Sequence, residues 1–140
     1  MRYAYPLELR PDDEDRVVAS FPDVPEALTD GADEAEALAE AQDALVAALA
    51  GYVHARRDIP RPRALRGRRT VAVPPLAAAK LALYQAMRRR RMTNVELARR
   101  LGVTEAVVRR LVDPDHASRI ERVQDALTAL GVGLVVEDAA

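Results

Sequence analysis

At 140 residues the chain has room for one ordinary domain or two small ones; 49% of it is apolar, with only four Tyr and one Phe as aromatics. It has no Cys, which removes disulfides, thiolate metal sites and Cys nucleophiles together. The net charge of −1 conceals a division that suits two kinds of partner, since residues 1–60 hold 5 Arg against 14 acidic residues (−9) and residues 61–140 hold 16 basic against 8 acidic residues (+8).

No signal peptide opens the sequence, and no apolar run approaches the ~18 residues that span a bilayer, so a soluble cytoplasmic protein without membrane contact is expected. Residues 3–9 alternate Tyr3, Tyr5, Leu7, Leu9 against polar or small residues, which predicts a half-buried strand with Pro6 favouring a sheet edge. PDDED (11–15) is an acidic turn, and RVVASF (16–21) the returning strand of a hairpin. FPDVPEALTDG (21–31) holds a Pro-rich bend, a short third strand near Glu26–Thr29 and a turn at Asp30-Gly31. Asp33-x-x-Glu36 has the form of a capping box. The helix after it carries Ala35, Leu38, Leu45, Leu49, Tyr52 and Val53 at helical spacing and runs to about Arg57.

DIPRPRALRGRR (58–69) reads as a loop or linker, and TVAVP (70–74) as a fourth strand. Pro75 then suits the first turn of a helix over 76–91. A last helix over 119–130 has Ile120, Val123, Ala126, Leu127 and Leu130 on one side, and VGLVVE (132–137) predicts a closing strand. That strand, through Leu134–Val136, either pairs across a dimer or closes the monomer's own sheet.

NVELARRLGVTEAVVRRL (94–111) is better specified than two arbitrary helices. Thr93-x-x-Glu96 is a capping box, and Met92 and Leu97 occupy the hydrophobic-staple positions around it. Leu97, Ala98 and Leu101 form the inner face of the first helix, and Gly102 provides the positive φ of a tight turn. Thr104 caps a second helix in which Val107, Val108, Leu111 and Val112 face inward, and Asp113-Pro114 ends it. Ala98, Gly102 and Val108 sit at helix-turn-helix spacing. In that geometry Glu105, Ala106, Arg109 and Arg110 face bases in the major groove, while Asn94, Arg100 and Thr104 contact the backbone. An ordinary αα-hairpin with solvated Arg is the alternative. The run Arg88–Arg91 adds at most a minor phosphate contact, and is equally a charged helix end.

Catalytic residues do not assemble. His54 and His116 lack metal-ligand spacing, and no nucleophile-elbow or phosphate-loop motif occurs. The consecutive acids Asp12 to Asp15 point apart in a turn, whereas a two-metal site gathers carboxylates from separate elements. No enzyme, metal or cofactor is expected. Lys80 is the single Lys beside 20 Arg, a bias read as codon composition.

The N-terminal stretch resembles the HicB-type antitoxins of bacterial type II toxin–antitoxin pairs. Phe21-Pro22-Asp23-Val24-Pro25, Thr29-Asp30-Gly31 and the acidic stretch Glu34 to Leu45 carry the likeness in order. Glu26 departs from it, standing where the family usually has Gly. TVAVPPLAAAKLALYQAM, the helix-turn-helix and RIERVQDALTALGVGLVV are similar to the longer branch with a Cro-like C-terminal domain.

The resemblance implies an α+β chain: a partial RNase H-like βββαβ toxin-binding domain over 1–74, then an all-α helix-turn-helix domain with a short C-terminal strand over 75–140. It further implies an antitoxin that neutralises a small HicA-type mRNA-cleaving toxin and represses its own operon by binding operator DNA as a homodimer or higher homo-oligomer. Phe21, Asp23 and Asp30 are the motif-led toxin contacts; the alternative for all three is a structural turn with Phe21 buried. The competing reading of the whole chain is a free-standing repressor with an N-terminal sensing or oligomerisation domain.

Overall fold

In the computed structural model, which describes residues 1–64 and 66–139, the first extended run changes partner at Leu7. Ahead of it β1 (Ala4–Pro6) pairs antiparallel with β5 (Thr70–Ala72), placing Tyr5 opposite Val71. Beyond it β2 (Glu8–Pro11) pairs with β3 (Val17–Ser20), and β3 with β4 (Leu28–Gly31), all antiparallel. The single strand expected over 3–9 is therefore two, because its ladder partners come from opposite ends of the unit. The alternation holds only in part: Tyr5 and Leu7 are buried, but so is Pro6 between them, and Tyr3 and Leu9 are half-buried.

The hairpin loop is built around Asp12, whose Oδ1 accepts from the backbone N–H of Glu14 (2.8 Å) and Arg16 (2.9 Å). The third strand lies later than Glu26–Thr29, since residues 21–27 are taken up by two tight turns, Val24 N–H to Phe21 O and Ala27 N–H to Val24 O. Gly31 consequently ends a strand, opposite Val17, where a turn was expected.

Helix α1 (Glu34–His54) starts at the expected cap: Asp33 Oδ1 accepts from Glu36 N at 2.8 Å. Glu36 reaches back to Ala32 N at 2.6 Å. Its buried face is Ala37, Ala41, Leu45, Leu49, Ala50, Tyr52 and Val53. Ala35 is exposed and Leu38 half-buried, so large residues misled the phase at the start of the helix. There small residues face β3 and β4, because the backbones approach closely.

Of the expected loop or linker over 58–69, residues 58–64 and 66–69 form a loop that straps the unit, and Leu65 lies outside the described residues. Ile59 is buried, Pro60 O accepts the Tyr5 hydroxyl at 2.7 Å, and Leu7 N donates to Arg69 O at 2.9 Å. Arg63 holds Asp23 through its backbone N–H (3.0 Å) and its Nε, Arg68 pairs with Glu8, and Arg69 pairs with Glu34. The chain divides into two compact units, Met1–Val73 and Pro74–Ala140. The strap's Arg residues thus belong to the first unit, leaving it 10 Arg against 14 acidic residues, and the second 11 basic against 8 acidic. Both units carry less net charge than a cut at residue 60 suggests.

The second unit is built on α2 (Pro75–Arg89), buried along Ala77, Ala79, Leu81, Leu83, Ala86 and Met87. Around it pack α4 (Glu105–Val112) and α5 (Ile120–Ala129); α3 (Asn94–Leu101) packs on α4 and α5. Val123, Ala126, Leu127 and Leu130 are buried as the α5 pattern requires, whereas Ile120, at the first turn, is 39% exposed.

The expected strand over 132–137 is absent among the described residues, and Val135 and Val136 are 93% and 87% exposed. Strand propensity needs a paired edge to act upon, and the described residues of this unit contain no other strand. The segment therefore does not close a sheet of its own chain. The structure is mixed α+β, with two small sheets and five helices among the described residues.

Candidate functional site

The ends of α3 and α4 are set by two threonines and a glycine. Thr93 Oγ1 accepts from Glu96 N at 3.1 Å, and Thr104 Oγ1 from Val107 N at 3.4 Å. Between the helices Gly102 adopts φ 69°, ψ 34°, the left-handed conformation that favours glycine. Val103 N donates to Ala98 O at 3.0 Å and Gly102 N to Arg99 O at 3.3 Å, the paired closure of a Schellman turn.

With both ends fixed, α4 buries Val108, Leu111 and Val112 and leaves Val107 half-buried. Arg109 and Arg110 are exposed, with Glu105 and Ala106 partly so. Glu105 links two of the other candidates: its Oε2 lies 3.3 Å from Arg109 Nη1, and its Oε1 3.5 Å from Asn94 Nδ2. Asn94, Glu105 and Arg109 therefore form one polar chain across the start of α3 and the length of α4. Arg110 stands next to it; Arg100 is exposed in the last turn of α3. Thr104 is exposed, with its hydroxyl engaged in the cap.

Sequence reasoning passed over Lys80. This residue of α2 is fully buried, and its Nζ donates to Arg110 O and to Ser118 Oγ, both at 2.7 Å. Burial holds its pKa below the ordinary 10.5, and the charge of Asp113 opposes that shift. The available signal was its singularity: where every other cation is Arg, a lone Lys marks a space that admits a compact ammonium. The Arg88–Arg91 run is exposed, yet two of its members are engaged within the unit. Arg90 donates to Leu130 O at 2.8 Å and to Ala86 O at 3.2 Å, and Arg88 lies over the Tyr84 ring at 5.5 Å.

In the first unit Phe21 is 1% exposed and belongs to the core. The Asp23 carboxylate, 7% exposed, holds the strap through Arg63 instead of bonding local backbone. Asp30 is half-exposed and paired with Arg16 at 2.7 Å, whose hydrogen bond and charge hold its carboxyl below the ordinary 3.8.

Comparison with known proteins decides the family. A family profile described as HicB_like antitoxin of bacterial toxin-antitoxin system matches residues 4–82. Antitoxin HicB 2 of Photorhabdus laumondii is 44% identical over 131 residues, covering 94% of this chain and 91% of that protein. The chain belongs to the HicB-like antitoxin family. Antitoxin HicB of Escherichia coli K12 is 40% identical over 91% of this chain and 93% of its own length. Antitoxin HicB of Pseudomonas fluorescens is 39% identical over 92% and 89% respectively. These relatives span both units, so the second unit is part of the shared HicB-like chain. The family to which the chain belongs is one of antitoxins of bacterial toxin–antitoxin systems. No helix among the described residues is long and apolar enough to cross a membrane.

In this HicB-like chain the Glu26 side chain has a clear structural task. The Tyr52 hydroxyl donates to its carboxylate, with Oε1 and Oε2 at 2.8 and 2.7 Å, and Arg57 lies over the Tyr52 ring at 4.3 Å. The Tyr52 bond is the main cause that holds Glu26 below its ordinary 4.5. Because the folded carboxyl is the stronger acid, its stabilisation is complete above the unfolded value and is lost as pH falls through the folded one. Thermal unfolding from about pH 6 to about pH 3 should show the wild-type advantage over Glu26→Gln shrinking with acidification. A difference independent of pH would place the stabilisation elsewhere.

Proposed function

We propose that this HicB-like antitoxin neutralises a HicA-type mRNA-cleaving toxin with its first unit and represses its own operon through the second. In this reading α3 and α4 form a helix-turn-helix and α4 enters the major groove of operator DNA. What supports the DNA half most is the exposed row of Glu105, Arg109 and Arg110 on a helix whose opposite face is buried and whose ends are both capped. Guanidinium forks at that spacing suit guanine O6 and N7, while Asn94, Arg100 and Thr104 suit phosphate. A homodimer or higher homo-oligomer presents two such helices about 34 Å apart on a pseudo-palindromic site. The exposed terminal segment with Leu134, Val135 and Val136 is our choice for the contact between copies.

The first unit we read as a partial RNase H-like scaffold without catalysis. Its excess of acid suits a basic RNA-handling toxin. Asp30 is reachable for that partner, as are the exposed Asp13, Glu14, Asp15, Glu40 and Asp43. Phe21 and Asp23 support it from within, by packing and by holding the strap. Both tasks belong to the cytoplasm, where mRNA and operator meet the protein.

Co-expression with the neighbouring reading frame of the gene, expected to encode a short basic protein, tests both halves. A tight co-purifying complex, relief of growth arrest and a shift of the upstream DNA are the expected results. A neighbour that is neither toxic nor bound, beside DNA that still shifts, would replace this reading with a free-standing repressor.

A further inference from the structure

The base-reading helix α4 ends on the carbonyl of Arg110, one of its last four, which the following turn meets with a long bond from Asp113 N–H at 3.3 Å. The shorter bond to the same oxygen comes from Lys80 Nζ at 2.7 Å, from a different helix, and the same ammonium is held by Ser118 Oγ at 2.7 Å in the α4–α5 connection. An ammonium at a helix C-terminus also opposes the negative end of the dipole. The residue whose backbone is gripped is the same residue whose side chain is proposed to read a base.

We infer that Lys80 is a positioning residue for operator recognition, fixing the depth and rotation of α4 so that the Arg109 and Arg110 side chains meet base edges. The inference rests on the proposed DNA reading and adds to it a determinant that never touches DNA. A fully buried side chain makes no phosphate contact and releases no counterion, so its effect falls chiefly on the specific complex. Bidentate recognition of guanine needs the guanidinium plane and the base edge in register, and a shift of the helix degrades it. Non-specific binding, carried by exposed cations against any phosphate backbone, tolerates such a shift.

The test compares specific with non-specific affinity for the full-length chain, using its own upstream operator and a scrambled duplex at one fixed salt concentration. Binding is measured at a temperature where circular dichroism shows each variant folded. Lys80→Met should lower operator affinity about tenfold or more, within the range for losing a bidentate contact, while scrambled-duplex affinity and the salt slope stay at wild-type values. Ser118→Ala, which keeps the ammonium but removes one acceptor, should lower operator affinity by a smaller factor, and decides the matter should Lys80→Met fail to fold.

Because the chain contains no Cys, Lys80→Cys also offers a chemical rescue. Alkylation of the unfolded variant with bromoethylamine followed by refolding restores an ammonium at nearly the lysine length, and should restore operator affinity; alkylation with iodoacetamide should not. Equal loss on both duplexes, or operator affinity unchanged in the folded variants, overturns the positioning role while leaving DNA recognition intact. A wild-type chain that does not distinguish operator from scrambled duplex overturns the DNA reading and this inference with it.

Discussion

Gly31→Ala is expected to destabilise the first unit by about 3 kcal/mol, the upper end of what an added methyl costs in a packed interior. A Cβ built on Gly31 would lie 2.4 Å from Ala37 N, 2.8 Å from Ala37 Cα and 2.8 Å from Glu36 C. All three are backbone atoms in the first turns of α1, so no side chain can swing aside to make room. Moving the helix would break the cap from Asp33 to Glu36 N, and moving the strand would break the register of Gly31 with Val17. Space is the reason, since Gly31 is not among the residues with positive φ. Gly51→Ala is the control: it lies in the same helix with nothing within 4 Å of the added methyl, and should stabilise by about 0.5–1 kcal/mol through helix propensity. Urea unfolding of the full chain, followed by the signals of Tyr3, Tyr5 and Tyr52, reads both changes. A wild-type midpoint for Gly31→Ala would show that β4 and α1 are not closely packed there.

This contact also shows where the sequence was legible and where it was not. Thr29-Asp30-Gly31 was recognisable as a motif, and a turn was the natural reading of Asp-Gly. What local chemistry could not reveal is that glycine serves a helix which the chain reaches only three residues later and lays back across the strand. The same closeness explains the misread phase of α1. Ala37 and Ala41 carry little hydrophobic weight in a periodicity, yet they are the residues facing the sheet, and Leu38 is displaced from it. Residues 58–69 looked like no more than a loop or linker for a related reason. Pro, Gly and Arg describe its local flexibility and solubility, whereas its partners Tyr5, Glu8, Asp23 and Glu34 lie 35 to 60 residues away. Long-range pairing is the part a local pattern does not encode.

The α3–α4 segment was legible because each of its signals acts within four or five residues. Thr93, Gly102 and Thr104 set local hydrogen bonds and one dihedral angle, and each stands where its side-chain chemistry predicts. Lys80 escaped for the opposite reason: its acceptors lie 30 and 38 residues further along. The terminal VGLVVE failed differently again, since its apolar residues describe a strand without naming a partner. For Phe21 the structural alternative, burial, is what the fold shows, while Asp23 holds the strap and not its own turn; a motif records that residues recur together without recording which way they face.

Arg110→Ala is expected to weaken operator binding by about 1–3 kcal/mol while leaving folding and toxin neutralisation unchanged. Its guanidinium is exposed and takes part in no salt bridge among the described residues, so it meets a guanine edge without first giving up a partner. Arg109 begins from a different position. Its Nη1 lies 3.3 Å from Glu105, and Arg109→Ala both removes a donor and leaves that carboxylate without its cation beside the DNA. The two substitutions should therefore differ in salt response. Losing a base contact at Arg110 leaves the slope of log affinity against log salt at its wild-type value, whereas losing a phosphate contact, as in Arg100→Ala, reduces it by about one. Operator titrations at several salt concentrations separate these cases. If Arg110→Ala flattens the slope and lowers specific and non-specific affinity alike, Arg110 is a backbone contact, and base reading passes to Arg109 and Glu105 on the neighbouring strip of α4.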